Sequence, residues 1–214
     1  LQPIYDVLNE LPEDEKQQVT QTYQTLRSNL QTLEKGVEES EKEMDKEITK
    51  ILNNAYLMPF QTRELAERFL EASQPEFKVG FLFSKQKTVE EQNARLDRLF
   101  QDLQERTKSQ LEWHLREYLI GILKNNSLDN PELQNKAQSF SIEVPIELIV
   151  KTVKQGARLS GEYVLHYTED LANGIKKIAK EGIADFKHAL LPVLEAKTKK
   201  VTLMYQEEFK NIEQ

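Results

Sequence analysis

The stretch GARLSGEY, residues 156–163, sets Gly156 and Gly161 five apart. That is the frame of a phosphate loop, G-x-x-x-x-G-K-[ST]. In such a loop, backbone N–H groups cradle phosphates, a lysine reaches the terminal phosphates and a hydroxyl holds Mg²⁺. Here Glu162 and Tyr163 stand where the lysine and the hydroxyl belong. A carboxylate at that point repels a phosphate, so no nucleotide site is expected and the glycines read as breaks that shape a turn. The histidines His114, His166 and His188 lie far apart, and none falls in an H-x-x-x-H or H-E-x-x-H pattern. No metal site is expected from them. Carboxylates are plentiful but interleave with Lys and Arg, as on solvated helix faces. No Ser/His/Asp grouping can be assembled, and the chain has no Cys, which excludes disulfides, thiolate catalysis and Cys-ligated zinc. No catalytic residue and no cofactor is expected in this chain.

The chemistry that remains is that of a surface. VPIELIVKTVKQGARLSGEYVLHY, Val144 to Tyr167, is apolar and basic in a chain whose net charge is −7. From Val144 to Lys180 the bases are Lys151, Lys154, Arg158, Lys176, Lys177 and Lys180, and the acids are Glu147, Glu162, Glu169 and Asp170. A net +2 on an acidic protein suits anionic lipid headgroups, where each nearby Lys or Arg contributes about 1 kcal/mol. The candidate contact residues are Ile146, Leu148, Ile149, Val150 and Val153, entering the interface, with Lys151, Lys154 and Arg158 at headgroup level. No apolar run approaches the ~20 residues that span a bilayer, so shallow insertion is the limit. A second reading stays open. Ile146, Ile149, Val150 and Val153 also fit the i, i+3, i+4, i+7 face of a core helix, with Val164, Leu165, Tyr167 and Leu171 as partners. A third is a protein–protein surface. The overall acidity argues against a nucleic-acid partner, whose phosphates need a basic face.

Long helices must position this stretch. Charged residues make up 30% of the 214 and apolar ones 38%, with 7 Gly and 7 Pro, a balance that favours helices with narrow apolar seams. Pro12 followed by Glu13, Asp14 and Glu15 starts a helix over 13–55. Its seam is Val19, Tyr23, Leu26, Leu30, Leu33 and Val37, then Met44, Ile48, Ile51 and Ala55. At 1.5 Å per residue such a helix is roughly 65 Å long and needs partners of similar length. NNAYLMPF ends it. A short helix is expected over 61–72, then a break at SQPEFKVGFLF, where Pro75 and Gly80 flank a small apolar knot. A second long helix spans 86–124, with Val89, Leu96, Leu99, Leu103, Leu111, Leu115, Tyr118 and Ile122 as its seam and Trp113 packed against a neighbour. NNSLDNP breaks it. Helices over 131–139, 161–180 and 183 to the end follow, with Pro192 expected to kink the last. The fold class is all-α: an elongated antiparallel helical bundle with a small helical tip insert. The chain begins at Leu1, and Leu1–Leu8 read as mid-protein sequence, so a fragment of a larger protein is expected.

The segment Phe77 to Leu123, with FLFSKQKT, EEQNARL and QLEWHLRE, resembles the stalk of bacterial dynamin-family proteins, in particular those with two fused dynamin units. The resemblance covers about fifty residues by motif, and the remainder by layout. It implies a neck-like helix over 1–58, trunk helices over 59–124, a tip (paddle) over 125–182 and a returning helix over 183–214. It implies a hinge at Asn53, Asn54 and Pro59. The GTPase head, with its GTP and Mg²⁺, would lie outside this chain. Expected partners are an anionic phospholipid membrane and further copies of the stalk. The expected location is cytoplasmic, peripheral at the inner face of the plasma membrane. The implied role is to transmit GTPase-driven movement to membrane binding, tethering and remodelling or fusion. The alternative is a structural coiled-coil scaffold whose apolar insert binds a protein partner.

Overall fold

The computed structural model of the chain describes residues 12–80 and 84–212. Among them there is no strand, and the chain is an all-α helical bundle. The helices are α1 (Glu13–Asn54), α2 (Phe60–Ala72), α3 (Ser84–Thr107), a π-helical turn (Lys108–Glu112), α4 (Trp113–Asn125), α5 (Pro131–Gln138), α6 (Ile146–Lys151) and α7 (Gly161–Ile212). Leu1–Leu8 and the apolar knot at Phe81–Phe83 lie outside the described residues, and the seam positions Val19, Tyr23, Leu26, Leu30 and Leu33 lie outside the described side chains.

The chain divides into two compact units. One comprises residues 1–46 and 189–214, the early part of α1 and the late part of α7. Met44, Leu190 and Leu194 are buried there, and Pro192 is carried inside the helix rather than ending it. The other comprises residues 47–188 and holds the candidate site.

Within the 47–188 unit the chain runs up, down, up and down. α2 lies antiparallel to α3: Thr62 donates to Asp102, the Arg106 guanidinium meets Gln61, Arg95 donates to the Arg68 carbonyl, and Gln92 donates to the Ala72 carbonyl. Segment 140–151 climbs back along α3 and α4. α7 descends beside it, since Tyr167 meets Ile149, Gly174 faces Leu148 and Gly182 faces the Phe140 ring. The turn residues 73–80, the start of α3 and the turn at 152–160 therefore share one end of this unit, and the turn at 126–130 lies at the other.

The helix ends follow from local chemistry. Asn130 accepts a hydrogen bond from the Leu133 N–H at 3.0 Å, with Pro131 at the first helical position, a standard start. Ser127 takes φ 46°, the left-handed turn that closes α4, and the Leu128 N–H returns to the Leu123 carbonyl. One expected break is absent. The helix read as ending near Lys180 continues to Ile212. Its buried face steps by four or three through Tyr167, Leu171, Ile175, Ala179, Ile183, Phe186 and Leu190. That seam outweighs the modest helix penalty of Gly182.

Segment 140–144 is extended, with Phe140, Ile142 and Val144 buried and Ser141 and Glu143 exposed. No strand pairs with it. Side chains of the neighbouring helix satisfy its backbone instead. Gln104 donates to the Ile142 carbonyl (3.1 Å) and accepts from the Val144 N–H (2.9 Å). Glu112 accepts from the Ile142 N–H (3.0 Å), and Arg116 donates to the Phe140 carbonyl (2.8 Å) while bridging to Glu112 (2.6 Å). Buried backbone groups need such partners, and here two short polar clusters supply them.

Candidate functional site

The candidate contact residues fall on α6 and the turn after it. Ile149 is fully buried, and its carbonyl accepts a hydrogen bond from the Tyr167 hydroxyl at 2.8 Å. It belongs to the core of the unit, so the reading of Ile149 as an interfacial side chain is corrected. Leu148 and Ile146 are half-buried, with Leu148 close against Gly174. Val153 is half-buried as well. Val150 is 49% exposed, and Lys151, Lys154 and Arg158 are all exposed. A six-residue helix has one buried face, so Ile149 points inward and Val150 and Lys151, a step or two on, point outward.

Two tyrosines fix the turn. The Tyr163 hydroxyl accepts the Lys154 N–H at 2.8 Å, and the Tyr167 hydroxyl donates to Ile149. Burial, helped by the nearby Tyr163, pushes the Tyr167 phenol well above the usual tyrosine range, so it stays a donor. Its ring lies 6.3 Å from that of Phe69 and 6.5 Å from that of Tyr163. Gly156 takes φ 76° and the Ala157 N–H bonds to the Lys154 carbonyl, a tight turn that a side chain would strain. Gly161 is the first residue of α7. The glycines thus serve backbone geometry. The basic side chains are left to solvent, with Lys154 4.0 Å from the Asp170 carboxylate, a weak exposed pair.

Asn53 and Asn54 end α1 and are exposed; Pro59 caps α2 in an extended conformation. The intervening Leu57 and Met58 are buried, whereas Tyr56 and Phe60 are largely exposed. Gln61 is level with Arg106, so the 55–59 turn lies beside the π turn that follows Arg106. The extended 140–144 segment is held at the same level, between Gln104 and Glu112. Three of the four columns of this unit therefore lose regular helix at one height, and α7 alone passes it unbroken. The Thr107 hydroxyl, fully buried at the start of the π turn, has no hydrogen-bond partner.

Trp113 was expected to pack against a neighbouring helix but is 56% exposed, its ring edge-on to His114 at 4.9 Å. The π turn adds one residue to the helix and rotates the following positions, so Leu111, Glu112 and Leu115 turn inward and Trp113 outward. Sequence reading placed a break at SQPEFKVGFLF but did not place it at the same end as α6. There Arg95 pairs with Glu71 (2.6 Å) and Glu91 (2.8 Å) and sits 4.9 Å over the Phe77 ring, and Thr88 accepts the Val79 N–H. The signal was present as Lys78, Lys85 and Lys87, which crowd this break.

No helix among the described residues is long and apolar enough to cross a membrane. No family model matches the chain. No solved structure matches it. Over 176 residues, 82% of the chain, it is 40% identical to Dynamin-like protein A of Bacillus subtilis (strain 168), of whose length it spans 14%. By that identity, and with the all-α bundle described above, the chain belongs to the bacterial dynamin-like proteins, as a helical segment of them.

Proposed function

We propose that the chain is the stalk and membrane-contacting tip of a bacterial dynamin-like protein. GTP hydrolysis in a head outside the chain would move the helices, and the tip would carry that movement to an anionic membrane at the cytoplasmic face, which the protein binds, tethers and remodels or fuses. The observation that carries this reading is the turn at 151–158. It presents Lys151, Lys154 and Arg158 to solvent beside the exposed Val150, at one end of a helical unit, on a chain of net charge −7. Charge attraction at the headgroups combined with shallow apolar insertion is the usual physics of a peripheral contact. The coincident breaks at 55–59, 107–112 and 140–144 support Asn53, Asn54 and Pro59 as part of a joint that bends about α7, since regular helix resists bending and irregular backbone absorbs it.

The test is co-sedimentation at low salt. The chain should pellet with vesicles rich in phosphatidylglycerol and stay in the supernatant with pure phosphatidylcholine. Lys151→Glu with Lys154→Glu should weaken pelleting at least about tenfold, from about 1 kcal/mol per base removed and more for each reversed. A chain that ignores phosphatidylglycerol vesicles even when dimerised through an engineered linkage, which supplies avidity, is not a membrane tip.

A further inference from the structure

The 47–188 unit is electrically polarised along its length. At the α6 end, the described turn residues 73–80, the first turn of α3 (84–87), residues 150–160 and the first turn of α7 (161–164) contain six bases, Lys78, Lys85, Lys87, Lys151, Lys154 and Arg158, against two acids, Glu76 and Glu162. All eight are exposed. At the opposite end, residues 124–132 hold Lys124, Asp129 and Glu132. Glu90 and Glu147 lie further along α3 and at the start of α6, away from the turns themselves. Glu71 and Glu91 both pair with Arg95, which offsets one of their two charges.

The two basic turns are far apart in sequence but tied together in space. Phe69, near the end of α2, packs its ring on Tyr167, and Tyr167 holds the carbonyl of Ile149 in α6. Tyr163 holds the backbone of Lys154. On the other side Arg95, at the level of Arg68 and Glu71, holds the ring of Phe77.

We propose that the membrane-contacting end is bipartite: the residues on either side of 81–83, that is 77–80 and the first turn of α3, form a second limb whose Lys78, Lys85 and Lys87 engage anionic lipid headgroups together with Lys151, Lys154 and Arg158. The inference rests on the membrane-tip reading above and assigns it a lipid class and a second set of residues. Charge complementarity argues for a lipid surface as the occupant. The six bases spread over two adjacent turns, which suits a field of separate headgroups better than one bound anion, and Val150 offers the apolar contact a lipid interface takes.

The experiment measures binding of the chain to phosphatidylglycerol vesicles for three variants. Lys78→Glu/Lys85→Glu/Lys87→Glu should weaken binding at least about tenfold, comparable with Lys151→Glu/Lys154→Glu/Arg158→Glu, while Lys108→Glu/Lys124→Glu, away from this end, should change it less than about twofold. Helicity and melting temperature, recorded for each, should stay at the parent values because all the altered side chains are exposed. If the 78/85/87 variant binds like the parent while the 151/154/158 variant does not, the second limb is wrong and the membrane-tip reading stands. If the parent does not bind even when dimerised, both fall. An equal loss in the Lys108/Lys124 variant means that net charge alone acts, and overturns the bipartite site. So does retention by a single-stranded oligonucleotide in place of vesicles.

Discussion

Replacing Glu112 by alanine is expected to destabilise the 47–188 unit by about 3–4 kcal/mol, a loss read as a fall of roughly 1–2 M in the urea midpoint. Glu112 is 5% exposed and does two things at once: it accepts the Ile142 N–H and neutralises Arg116. Its removal leaves a buried donor without an acceptor and a half-buried guanidinium without its carboxylate. Each of those carries a desolvation penalty that the folded state then bears alone. Glu112→Gln keeps an acceptor for the Ile142 N–H and should lose roughly half as much. Because Arg116 also donates to the Phe140 carbonyl, Glu112→Ala and Arg116→Ala should be less than additive by about 1–2 kcal/mol. Full additivity would mean that the two side chains do not act as one clasp on the 140–144 segment.

The second large effect is expected at Tyr167. Tyr167→Ala removes one of the largest fully buried side chains and should lower stability by about 3–5 kcal/mol. Tyr167→Phe isolates the hydroxyl. It leaves the ring on Phe69 but strips the Ile149 carbonyl of its donor, for about 1–2 kcal/mol. The smaller change is the more informative for function. Ile149 is the inward anchor of α6, so loss of that hydrogen bond should raise amide exchange across 149–157 well before it affects α4 or α5. Exchange that rises uniformly across the unit would show that Tyr167 supports the bundle in general and not the turn that carries Lys151 and Lys154.

Much of the helical layout was legible because its punctuation is strong. Asn53, Asn54 and Pro59 end α1, the NNSLDNP stretch ends α4, and Asn130 with Pro131 starts α5, each by a local mechanism that needs no tertiary contact. Three features were not legible, and all three depend on contacts distant in sequence. The π turn inserts one residue without a composition signal, and only its packing consequence, Trp113 outward and Glu112 inward, reveals it. The extended 140–144 segment does alternate apolar and polar in FSIEV, the period of a strand, but the groups that satisfy its backbone are Gln104 and Glu112, about thirty residues away or more. The basic residues Lys78, Lys85 and Lys87 looked like the flanks of a simple break, since nothing in one dimension places them at the same end as 151–158. Within α6 the helical period offered Ile149 and Val150 equally to core and to surface. Tyr167 selects the first for the core.

The proposed function requires the 152–160 end of the unit to meet the membrane. The absence of cysteine allows a clean probe, because a single introduced thiol carries the only label. An environment-sensitive fluorophore on Gln155→Cys, in the turn after α6, should shift to the blue when the chain is mixed with phosphatidylglycerol vesicles and be quenched by a lipid-phase quencher. The same label on Asp129→Cys, in the turn at the opposite end, should do neither. An unchanged spectrum at position 155 in a chain that pellets with the vesicles, or equal shifts at 155 and 129, would contradict the account.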